Sequence, residues 1–129
     1  MREIHTDRAP SHTGPVPQAV ESGGWIYVSA LFGADPVTGR IPDQARAEAR
    51  QLFANLEAIL QAAGARLTDV LRAGVFMKQL QRDRPVFNEV WREVFGGHRP
   101  ARSAAEVADF GRPRETVRYM MEVVAHREP

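Results

Sequence analysis

Between Asp43 and Ala63 the chain places apolar residues at positions 45, 49, 52, 53, 56, 59, 60 and 63. Steps of three and four put all of them on one side of an α-helix and leave charged and amide side chains on the other. Such a helix needs a flat apolar surface to cover its stripe, and short runs of strand character on both sides of it can supply one. Asp43 is expected to cap its N-terminus, and Gly64 to provide a left-handed C-cap.

Residues 9–18 carry three prolines and one glycine, so they are extended or turning. Strands are expected from Gln18 to Val20 and from Trp25 to Ala30, joined by a hairpin turn at Glu21-Ser-Gly-Gly24. Asp35-Pro-Val-Thr-Gly39 reads as a turn and Val70 to Met77 as a strand. A second helix is expected from about Arg84 to Phe95, with Asp83 as its cap, Pro85 in its first turn and Gly96-Gly97 ending it. Ser103 to Val107 and Val117 to Ala125 form the last two strands, joined as a hairpin by a loop rich in Arg and Pro. The order β-β-α-β-α-β-β predicts an α+β fold, one mixed sheet with two helices packed on a single face, in which residues 1–129 are one domain. The other sheet face is also apolar and has no third layer, so a second chain is its expected cover.

Composition narrows the chemistry. With 17 basic and 16 acidic side chains the formal net charge is +1, which gives no bulk attraction to nucleic acid or to an anionic membrane. There is no cysteine, which excludes disulfides, zinc–thiolate sites and thiol nucleophiles. The N-terminal residues lack the apolar run of a signal peptide and no run reaches transmembrane length, so a cytoplasmic protein is expected. His5, His12, His98 and His126 show no metal-ligand spacing, and the paired glycines lack the pattern of a phosphate loop.

Arg102 stands in Arg99-Pro-Ala-Arg-Ser-Ala-Ala-Glu-Val107, where a loop is expected to become a strand. Its guanidinium offers a planar fork that matches a carboxylate bidentately, although an arginine at such a place also pairs readily with a surface acid. Glu122, in Tyr119-Met-Met-Glu-Val-Val-Ala125, is flanked by apolar residues. It is either an acid on the polar face of an edge strand or a partly buried carboxylate with a raised pKa suited to acid–base work. Asn88, in Phe87-Asn-Glu-Val, and Ser29, before a loop, could bind a ligand or only satisfy nearby backbone. No base is placed beside Ser29 to make it a nucleophile.

Taken with Gly14-Pro-Val-Pro-Gln-Ala-Val20, Trp25-Ile-Tyr-Val-Ser-Ala30 and Phe87-Asn-Glu-Val-Trp91, the Arg102 segment resembles the RidA/YjgF/UK114 family, in the right order over nearly the whole chain. The resemblance implies a chorismate-mutase-like sandwich and a homotrimer with its sheets facing a central barrel and its active sites in the clefts between subunits. It implies a deaminase that hydrolyses enamines or imines to keto acids and ammonia without metal or organic cofactor. Arg102 would grip the substrate carboxylate, Glu122 would position or activate water, and Asn88, Ser29, Ala30 and Val16 would line the cleft. Val16 and Pro17 stand where deaminating relatives carry a tyrosine and a small residue. Ala30 replaces a glycine, Leu31 a common glutamine and Ala104 a common cysteine, and the loop near Arg112-Pro-Arg114 is longer than usual. These departures predict a drier pocket and a larger or more apolar substrate. Two other readings remain: a non-catalytic trimer that binds a small carboxylate and regulates a partner, and a ribonuclease using Arg99, Arg112, Arg114 and Arg118. The second lacks a histidine pair for cleavage and an aromatic stacking platform.

Overall fold

The computed structural model describes residues 1–12, 14–111 and 116–128. The elements run β1 (Arg2–Ile4), β2 (Ala19–Ser22), β3 (Trp25–Leu31), α1 (Ala45–Ala62), a 3-10 turn (Leu67–Asp69), β4 (Val70–Met77), α2 (Leu80–Phe95), β5 (Ala101–Glu106) and β6 (Tyr119–His126). They form one six-stranded sheet in the order β1-β2-β3-β6-β4-β5, mixed because β4 and β5 are parallel and the other pairs antiparallel. The α+β fold with two helices on one sheet face is as expected.

The pleat decides which residues meet the helices. Along β6, Tyr119, Met121, Val123 and Ala125 are buried, while Met120, Glu122, Val124 and His126 point the other way. In β4 the inward set is Val70, Ala73, Val75 and Met77, and a register break after Val70 leaves Leu71 half exposed. α1 adds Ala49, Leu52, Phe53, Leu56, Ile59 and Leu60 to this core, and α2 adds Phe87, Val90 and Phe95. The opposite sheet face is open in the single chain and exposes Trp25 and Tyr27.

The β2–β3 hairpin turns as expected, with Gly23 and Gly24 at φ of 58° and 87°, conformations that side chains resist. Gly64 likewise lies in the left-handed region after α1. Asp35 ties its turn by accepting the Val37 and Thr38 N–H groups at 2.8 and 2.9 Å.

Several boundaries differ from the sequence expectation. β1 is an additional edge strand, too short and polar for its pattern to register. α1 begins after Gln44 with no side-chain cap, so Asp43 is not its cap; the Asp43 carbonyl instead accepts a hydrogen bond from Arg118 Nη2 at 2.7 Å. α2 begins at Leu80, which puts Asp83 and Pro85 inside the helix. The cap is distant in sequence: Glu106 Oε1, at the end of β5, accepts the Leu80 N–H at 2.9 Å. The last two strands do not form a hairpin, because β4 lies between β5 and β6. Residues 112–115 of the connecting loop lie outside the described residues.

α1 also carries two buried polar residues on its apolar side. Asn55 Nδ2 donates to the carbonyls of Phe32 and Ala34 at 2.9 Å each. Glu48, fully buried, accepts the backbone N–H of Arg118 at 2.8 Å and of Tyr119 at 3.1 Å, and Arg118 Nη1 at 2.8 Å. Burial pushes the Glu48 carboxyl above its ordinary pKa, and those donors from Arg118 and Tyr119 pull it part of the way back. This carboxylate fastens the start of β6 to α1. The Tyr119 hydroxyl fastens β6 to α2 by donating to the Asp83 carbonyl at 2.8 Å.

Candidate functional site

Arg102 is the second residue of β5 and lies in register with Ala73 of β4. Ala73 faces the helices, and Arg102 does the same, so its guanidinium rests on α2 with the carbon 4.9 Å from the centre of the Trp91 ring. That cation–π contact holds the guanidinium on the ring. Partial burial first, then the nearby charges of Arg84 and Arg92, hold the guanidinium below the ordinary arginine pKa. No carboxylate among the described residues pairs with it. Asn88 sits one helical turn from both Arg84 and Arg92, on the same flank of α2. Its Oδ1 is buried and has no hydrogen-bond partner among the described residues.

Glu122 occupies the other sheet face. It lies in register with Gly74 of β4 and drapes over it: a Cβ at Gly74 would stand 3.0 Å from Glu122 Oε1 and 3.1 Å from Cγ. Glycine is what lets the carboxylate lie down against the sheet. Glu122 is exposed in the single chain, so the partial burial expected for it is not met within one subunit. It borders a shallow hollow with Tyr27, Arg72 and Val124.

The remaining candidates form a third group. Ser29 lies within β3 rather than before a loop; its Oγ donates to the Pro17 carbonyl at 2.7 Å and its N–H to the Gln18 carbonyl at 3.0 Å. These bonds tie the segment carrying the exposed Val16 to the strand. Ala30 lines a small cavity with Pro10, Ser11, His12, Phe32 and Ile59. Buried Gln18 holds the segment from the inside, with Nε2 donating to the carbonyls of Thr6, Ala9 and Pro10 and Oε1 accepting the Thr6 N–H. The single chain therefore sets Arg102 over Trp91, about one turn from Asn88 on α2, ties the Val16 segment to Ser29 with Ala30 beside it at a second place, and keeps Glu122 apart from both on the open face.

A family model described as Endoribonuclease L-PSP matches residues 6–126. The chain belongs to this family, the YjgF/RidA family. A RutC family protein of Pyrococcus abyssi is 38% identical over 126 residues, spanning 97% of this chain and 96% of the relative. A 2-iminobutanoate/2-iminopropanoate deaminase of Escherichia coli K12 is 36% identical over 129 residues, covering 98% of each chain. The crystal structure of E. coli TdcF with bound serine superposes with a TM-score of 0.91 at 34% identity, covering 99% of this chain and all of that one.

Within this YjgF/RidA chain, sequence reading missed what surrounds Arg102. Trp91 was visible only as part of a motif, and Arg84 and Arg92 only as polar positions of an amphipathic helix. Their spacing of i, i+4 and i+8 with Asn88 was the available signal. The basic residues of the ribonuclease reading fare differently: Arg118 is committed to Glu48 and Asp43, and Arg112 and Arg114 lie outside the described residues. Among the described residues there is no group of His, Asp and Glu able to hold a metal ion, and no helix is long and apolar enough to cross a membrane.

Proposed function

We propose that this protein hydrolyses enamine and imine forms of amino acids to keto acids and ammonia, in clefts between the subunits of a homotrimer. The observation that carries the reading is Arg102: a half-buried guanidinium, fixed on Trp91 and crowded by two like charges, with no described carboxylate to neutralise it. Such a group stabilises a bound carboxylate by a charge-assisted, bidentate pair. The deaminase name of the E. coli relative and the serine bound in TdcF, an amino acid with an α-carboxylate, support the same substrate class.

Arg102 holds the carboxylate of the imino acid, and an enamine first takes a proton at its β-carbon to become the imine. Water adds to the C=N carbon, its oxygen becomes the ketone oxygen, and the C–N bond breaks with both water protons leaving on ammonia. Glu122 orients that water and moves its protons. Because Glu122 and Arg102 lie on opposite sheet faces of one chain, the open face of a second copy brings its Glu122 to the Arg102 cleft. That arrangement also covers Trp25 and Tyr27. Asn88 lies beside the carboxylate grip, while Val16, Ser29 and Ala30 shape the wall. The protonated imine is itself electrophilic, so the reaction requires neither metal nor organic cofactor.

The test is turnover of imines released in situ by an amino acid oxidase, measured as ammonia formation above spontaneous hydrolysis. Arg102→Lys keeps the charge and loses the fork, so transition-state stabilisation falls by roughly 1.5–3 kcal/mol. Wild-type turnover by the lysine variant would remove Arg102 from the mechanism. Carboxylate binding with no turnover of any imine would instead favour the non-catalytic binding trimer.

A further inference from the structure

We propose that the Arg102 site is built for imino acids bearing a second carboxylate on the side chain, which Arg84 and Arg92 receive. The proposal rests on the reading of Arg102 as the anchor of the α-carboxylate, and it concerns what lies beyond that anchor.

The argument begins with how α2 distributes its charges. On the flank facing α1, Glu89 pairs with Arg46, and Glu93 with both Arg46 and Arg50. Asp83, nearly buried, is held by Arg82 through Nε and Nη2 at 2.9 and 3.0 Å. Every acidic residue of α2 is thus engaged away from β5. On the β5 flank stand Arg84 and Arg92, one turn to either side of Asn88, with Arg102 reaching in over Trp91 between them. None of the three has a carboxylate partner among the described residues. Both α2 cations act on the half-buried Arg102 guanidinium.

Three like charges beside one flank of α2 repel each other, and one bound carboxylate neutralises only one of them. A single-carboxylate substrate leaves Arg84 and Arg92, about two turns apart along that flank, without a counter-charge. A dicarboxylic imino acid of four or five carbons places its far carboxylate a few bonds from the one on Arg102, within the reach of long arginine side chains from the adjoining helix. The larger substrate expected from Val16 is then acidic rather than apolar.

The keto acid products carry the same carboxylates and are stable, so binding can be measured without turnover. By calorimetry at low ionic strength, the wild-type protein should bind 2-oxoglutarate roughly tenfold or more tighter than 2-oxobutanoate, with the ratio shrinking as salt rises. In Arg84→Gln/Arg92→Gln the ratio should collapse towards one, because 2-oxoglutarate affinity falls much further than 2-oxobutanoate affinity. Arg40→Gln, which lowers net charge at an exposed turn, should keep the ratio. A wild-type ratio near one, or a ratio that survives in the double variant, overturns the proposal. Imine turnover is scored separately. If no imine is hydrolysed but the binding ratio and its loss are seen, the ligand class stands and hydrolysis falls.

Discussion

Replacing Glu48 tests what fastens β6. Glu48→Met keeps the volume roughly constant but removes the acceptor from the Arg118 and Tyr119 N–H groups and from Arg118 Nη1. The Tyr119 N–H sits against a fully buried residue and cannot turn to water, whereas the Arg118 side chain is 21% exposed and can. An orphaned buried donor costs roughly 1–3 kcal/mol, and breaking a buried ion pair from one side about 3–5 kcal/mol. Glu48→Met should therefore lose about 3–5 kcal/mol, a large part of a typical total of about 5–15 kcal/mol. Arg118→Met leaves the carboxylate its two backbone donors, so roughly half that loss is expected. The double variant should resemble Glu48→Met rather than wild type, because the two N–H groups stay orphaned. Urea unfolding can be followed by fluorescence of Trp91, which packs 4.6 Å from Phe95, at one fixed protein concentration so that assembly does not confuse the comparison. An Arg118→Met loss equal to or larger than that of Glu48→Met would refute the reasoning: the carboxylate would then serve the guanidinium and not the backbone.

Gly33→Ala should destabilise by about 1–3 kcal/mol, since its Cβ would press on the Glu48 carbonyl oxygen and stand 2.9 Å from Cγ, whereas Gly97→Ala meets nothing; equal melting temperatures for the two variants would contradict this. Gly74→Ala pushes on the movable end of Glu122, 3.0 Å away, so stability should change by less than about 1 kcal/mol while kcat for imine hydrolysis falls more than KM rises. An unchanged kcat would separate Glu122 from the chemistry. The Asp35 carboxyl, bonded first by the Thr38 and then by the Val37 N–H, is held below the ordinary aspartate pKa. Its support of the turn is present above the ordinary aspartate range and is lost as pH falls through its own lower value, so carbon-13 titration should find its midpoint below that range; a midpoint at or above it would contradict the reading.

The helices and strands were legible because period-3.6 and period-2 patterns record burial directly. What the pattern could not record is partnership across the sequence. Asp83 and Pro85 read as a helix start because capping rules are local, but the group that caps α2 is Glu106, brought there by the parallel pairing of β5 with β4. Glu48 and Asn55 sit among apolar neighbours on α1 and read as part of its solvated face, yet both are buried because their partners come from β6 and from the loop after β3. At the candidate site, Arg102 and Asn88 could be named from their motifs. That Arg102 lies over Trp91, about one turn from Asn88, is a product of the fold.

The separation of Arg102 from Glu122 follows from one register. Ala73 pairs with Arg102 on one side and with Val123 on the other, and Gly74 pairs with Ser103 and Glu122. Arg102 and Glu122 thus belong to adjacent rows of the sheet, and adjacent rows point to opposite faces. Slipping β5 or β6 against β4 by one residue would turn both groups to the same side, but it would also turn Ala104 or Met121 away from the core. The core therefore fixes a sheet that presents Arg102 to the helices and Glu122 to the open face. A reaction needing both must recruit a second surface, and the uncovered apolar residues beside Glu122 give a further copy of the chain a reason to supply it.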